Sequence, residues 1–75
     1  MKLVKVSWAD ACDLPGWEPL ADLKQMTPVK CASVGWLLSK NRKRVVLAAH
    51  LSESGMGVGS MCIPRQNILA IKKLK

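Results

Sequence analysis

The sequence predicts a mainly β protein: a small, strongly bent antiparallel barrel of short strands with one short helical turn segment. Three observations predict it. Residues 2 to 9 alternate, with Val4, Val6 and Trp8 on one side and Lys5 and Ser7 on the other, the period of a strand with one buried face. The apolar run VKCASVGWLLSK, residues 29 to 40, is followed by KNRKR and then by VVLAAHL, residues 45 to 51, which returns as its antiparallel partner. A long early loop and a tight turn before the last strand complete the pattern. An SH3-like barrel is the first expectation and an OB-like arrangement the second. Seventy-five residues make a single domain, 1–75, with a small core and little room for a deep cleft inside one copy.

In chain order, the alternating segment comes first. From Asp10 to Pro28 the pattern fails. Pro15-Gly16 marks a turn, and Glu18 to Lys24 suits one or two helical turns. In the long apolar strand, Gly35 marks a bulge or a sharp bend. The glycine-rich stretch GMGVGSMCIPR, residues 55 to 65, then gives a loop and a short strand over Met61 to Ile63. Pro64 to Asn67 form a tight turn, and Ile68 to Leu74 the final strand. Trp36 is expected in the core and Trp8 at least half buried.

The balance of twelve Lys and Arg against five Asp and Glu gives a net charge of +7, which favours an anionic partner. Four of the five carboxylates, Asp10, Asp13, Glu18 and Asp22, fall in one short segment, and the chain from Pro28 onward is basic apart from Glu53. Such segregation suits self-association. The opening Met1 to Lys5 has no long apolar stretch, and no run approaches the roughly 18 apolar residues of a membrane span. Cys12, Cys31 and Cys62 are odd in number and widely spaced. The expectation is a reduced, cytoplasmic protein without a membrane partner, its cysteines serving as small core residues.

The glycine stretch reads G-x-G-x-G. It lacks the G-x-G-x-x-G spacing before a helix that dinucleotide sites use, and it lacks a Walker A Gly-Lys-Ser/Thr. Both enzymatic readings fail, which leaves a flexible connection or a loop that orders around a ligand, with Ser52, Ser54 and Ser60 adding donors. KNRKR, with Lys40, Arg42, Lys43 and Arg44, is a solvated hairpin tip or a phosphate-contacting finger. Trp17 follows Pro-Gly in the acidic stretch; it stacks on a base or plugs the open end of the barrel. Cys12, Cys31, His50 and Cys62 are zinc-ligand types without knuckle spacing, so no metal and no cofactor is expected. No carboxylate pair and no nucleophile beside His50 points to catalysis. The expectation is a non-enzymatic protein.

Val6-Ser7-Trp8-Ala9-Asp10, Gly16-Trp17, Ser33-Val34-Gly35-Trp36-Leu37 and Ile63-Pro64-Arg65 with Ile68 follow one another in an order that resembles a group of small phage-encoded proteins. That group is similar to viral sponges, which sequester cyclic nucleotide signals such as cyclic GMP–AMP in CBASS antiphage defence. The resemblance implies cytoplasmic action in an infected bacterial host. Residue chemistry supplies the site: Trp17 for stacking, Arg65 and Lys30 for phosphate, and a lid from Ser54 through Gly57 to Ser60. A cyclic dinucleotide is large for this domain, so burying it calls for a homo-oligomer. Two alternatives stand beside this one. The first is a small basic nucleic-acid-binding protein using Lys40, Arg42, Lys43 and Arg44. The second is a phage effector that inhibits an acidic host protein.

Overall fold

The computed structural model describes all 75 residues. Five antiparallel strands form one sheet: β1 (Leu3–Asp10), β2 (Val29–Lys40), β3 (Arg44–Leu51), β4 (Gly57–Pro64) and β5 (Ile68–Lys73). Their order across the sheet is β4-β3-β2-β1-β5. The mainly β expectation holds. The sheet is open, since β4 and β5 are its two edges and are not hydrogen-bonded to each other. A short helix, α1 (Leu20–Leu23), lies in the β1–β2 connection, and a single 3-10 turn, Arg65–Asn67, joins β4 to β5.

Alternation decides which face is buried. Val4 and Val6 point to the same side as Val45, Leu47 and Ile63, and these five side chains are the buried core. Trp8, Leu37, Ile68 and Ile71 pack against them, half-buried. The sheet curls over this core. The Trp8 indole Nε1 donates to Ser33 Oγ at 3.0 Å, and the Ser33 hydroxyl donates to Met61 Sδ at 3.4 Å. Ser33 is on β2 and Met61 on β4, two strands apart in the sheet order. Flat neighbours stand about 4.8 Å apart, so a contact that skips a strand requires a strong bend.

Gly35 permits that bend without being the bulge. A Cβ there would lie 3.0 Å from the Ala48 carbonyl oxygen and 3.2 Å from Leu47 Cβ, so any side chain would press β2 and β3 apart by a few tenths of an ångström. The register shift falls three residues later, between Leu37 and Ser39. Strand β4 is longer than the expected Met61–Ile63, running back to Gly57, which pairs with Leu51 of β3. Gly59 has φ +73°, and a Cβ on it would meet Ala49 Cβ at 2.9 Å.

Four expected burials are corrected. Cys12 and Cys62 are exposed and Cys31 is only half-buried. Five aliphatic side chains already fill the inner face, and Cys62, paired with Val46, stands on the outer one. Trp36 neighbours Gly35 and so also faces outward, half-buried, away from the core. No helix is long and apolar enough to cross a membrane.

Residues 11–28 contrast with the sheet. Only Leu23 among them is even half-buried. Their hydrogen bonds are local: α1 is held by bonds from Asp22, Leu23 and Lys24 back to Pro19 and Leu20, and the Cys12 thiol donates to the Thr27 carbonyl. The molecule as a whole measures 52 × 21 × 20 Å, with a radius of gyration of 15.8 Å against about 11 Å for a compact chain of this length.

Candidate anion-binding site

The 3-10 turn organises one end of the molecule. Pro64 cannot donate to the ladder and ends β4 opposite Arg44. The Arg65 backbone N–H then donates to the Lys43 carbonyl at 2.9 Å. At the other end of the same turn, Asn67 Nδ2 donates to the Ala9 carbonyl at 3.0 Å. The turn therefore ties the basic β2–β3 hairpin tip to the end of β1, where the arm begins.

The tip has a fixed shape. Asn41 Oδ1 accepts from the Lys43 and Arg44 backbone N–H groups at 2.8 and 3.0 Å, an Asx-type turn. The Arg44 guanidinium donates to Ser39 Oγ at 3.2 Å. Arg42, Lys43, Arg44 and Arg65 are all exposed, with Lys40 at the strand end beside them. Their concentration gives this end an excess of positive charge focused on one small region.

Beside the turn, a cleft of ≈ 350 Å³ is lined by Ala9, Asp10, Pro28, Gln66, Asn67 and their neighbours. Its one charged side chain is Asp10, whose Oδ1 accepts from the Ala11 N–H at 2.9 Å. A carboxylate and two amides suit the N–H and carbonyl edges of a base, not a phosphate. An anion is drawn to the neighbouring Arg65 and tip cations. Asp10, Gln66 and Asn67 were not singled out by the sequence; the only signal was the Pro64 turn that carries two of them.

The expected site residues divide into four groups. Arg65 joins the basic tip, so the two rival phosphate sites are one region. Lys30 pairs with Ala9 in the β1–β2 register, close to the cleft but on the outer face of the sheet. Trp17 is 104% exposed on the arm and plugs nothing. The expected lid is not brought to this end. Gly57 and Pro64 bound β4, whose eight residues span roughly 23 Å, and Ser54 lies in the turn beyond Gly57. Ser60 stands midway along the strand, opposite Ala48. Ser54 is engaged locally, its Oγ 2.9 Å from Ser52 Oγ, and Ser52 N–H donates to the Met56 carbonyl at 2.8 Å, closing a β3–β4 turn. The glycine stretch is a hairpin and its strand.

No three of the His, Cys, Asp and Glu side chains gather into a group that would hold a metal ion. In comparisons with known proteins, the chain matches no family model, no curated protein and no solved structure.

Proposed function

We propose that the protein binds and sequesters a cyclic nucleotide without altering it chemically, holding the phosphates on Arg65 and the hairpin tip and a base in the adjoining cleft. The observation that carries this reading is the bond from Arg65 N–H to the Lys43 carbonyl, which sets the cationic cluster beside a cleft lined by Asp10, Gln66 and Asn67. Read with the resemblance to small phage proteins, the ligand is an immune signal such as cyclic GMP–AMP, and the protein acts in the infected bacterial cell as a homo-oligomer. The strand order, the curl of the sheet and the 3-10 turn before β5 favour the SH3-like form of the expected barrel over the OB-like one.

The tryptophans favour a compact ligand over a polymer. Trp8 and Trp36 are half-buried, which leaves Trp17 as the one fully exposed aromatic. Proteins that track single strands stack successive bases on several aromatic side chains. One indole per copy suits a ligand with two or three bases shared between copies.

Isothermal titration against a panel of cyclic di- and trinucleotides tests the proposal. Arg65→Ala is expected to weaken binding by about 1.5–3 kcal/mol, the range of a charge-assisted hydrogen bond, or roughly 10- to 150-fold. Absence of heat with every member of the panel sinks the reading. The joined basic end also supports a nucleic-acid reading, which predicts affinity that grows with strand length and a log K–log salt slope of roughly −0.7 per phosphate.

A further inference from the structure

We infer that the arm, residues 11–28, is a docking element for a second copy of this chain, and that it lies on the outer face of that copy's sheet. The first ground is area. The chain exposes 6073 Å², whereas a folded monomer of 8.2 kDa is expected to expose about 4,500 Å². The excess, about 1,500 Å², is close to two interface patches of roughly 800 Å² each. One patch given and one received per copy would cover it.

The second ground is chemical complementarity. The arm carries Leu14, Trp17, Leu20 and Met26 at 50%, 104%, 73% and 38% exposure. The helix α1 within the arm buries none of its own residues, and four large apolar side chains exposed along one short segment mark a contact surface. Around them stand Asp13, Glu18 and Asp22 against Lys24 alone. The outer face of the sheet is the counterpart. Lys5 is paired with Val34 on one side and Lys72 on the other, and Lys30 lies on the same face of β2 as Val34. Val34 is 56% exposed, and no carboxylate occupies an outward position on any strand. Acidic and apolar thus meets basic and apolar, an arrangement that sets register as well as attraction.

Within one chain, the arm's bonds are spent on itself and on the β1–β2 connection it belongs to. Docking in trans would bring Trp17 of one copy towards Lys30 of another, near the cleft. Only this last point rests on the proposed nucleotide; association of the copies stands without it.

The test is mass in solution by light scattering and sedimentation equilibrium, without nucleotide. Wild type is expected at two or more times 8.2 kDa. Leu14→Ser with Leu20→Ser, both at exposed positions, is expected to return the monomer mass while the circular dichroism spectrum of the folded sheet is kept. Asp13→Lys with Asp22→Lys is expected to dissociate the complex, and adding Lys5→Glu with Lys72→Glu to that chain is expected to restore it. A monomeric wild type overturns the inference. So does an oligomer whose mass ignores the arm substitutions, or one that the second reversal fails to rescue. Titration of the same samples separates the two ideas. An oligomer that gives no heat with nucleotides removes the proposed function alone, and a monomer that gives heat removes the arm and the homo-oligomeric form of the site but leaves nucleotide binding.

Discussion

The sheet and the arm are made from the same kinds of residue and reach opposite outcomes. In the sheet, Val4, Val6, Val45, Leu47 and Ile63 are each no more than 3% exposed, because alternation aims all five at one curled face. In the arm, Leu14, Leu20 and Met26 are as apolar, but a connection interrupted by Pro15-Gly16 has no period and so no face to bury. Hydrophobicity alone does not place a side chain inside. A repeating geometry shared with neighbouring segments does. The comparison also shows where stability resides: five core residues and the four that pack on them hold the fold, and residues 11–28 add little to it within one chain.

The largest test of this division is in the core. Ile63→Ala removes a fully buried side chain at the β4 end of the cluster and is expected to cost about 2–5 kcal/mol, enough to unfold much of so small a domain. Urea denaturation followed by circular dichroism measures it, and a loss below 1 kcal/mol (about the cost of trimming a single methylene) would deny Ile63 its place in the core. Next in size is Gly59→Ala, which forces a Cβ against Ala49 at a backbone φ of +73°. It is expected to destabilise by about 1–3 kcal/mol, with hydrogen exchange rising along β3 and β4 before β1. Smallest is Leu20→Ser on the arm. Measured at a dilution that keeps the protein monomeric, it is expected to change stability by less than about 0.5 kcal/mol. A large loss there would mean that the arm packs on its own sheet.

The same contrast explains what could be read from the sequence. Strand β1 was legible as alternation, and β2 and β3 as paired apolar runs around a basic tip, because these signals are local. Leu20–Leu23 fell inside the segment expected to turn helically. The burial of cysteines was not legible, since whether Cys62 faces inward depends on its register against Val46, a long-range pairing. The extent of β4 was hidden for a similar reason: Gly57 and Gly59 read as loop residues until β3 lies beside them. Residues of the candidate site were legible one at a time, as Arg65, Lys30 and the tip cations. Their grouping was not, because only the 3-10 turn brings Arg65 to Lys43 and Asn67 to Ala9. The expected lid lies at the far end of β4 because proximity in sequence to Arg65 is undone by the length of a strand.

The bond from the Trp8 indole to Ser33 has an optical consequence. With no Tyr or Phe in the chain, all aromatic absorption and emission come from three indoles in unlike surroundings. Trp8 is partly shielded and hydrogen-bonded on the inner face, Trp36 is partly shielded on the outer face, and Trp17 stands wholly in water. A small aqueous quencher therefore reaches Trp17 first, and the unquenched remainder reports the sheet. The molecule carries separate fluorescent gauges for its arm and its fold without a label being added.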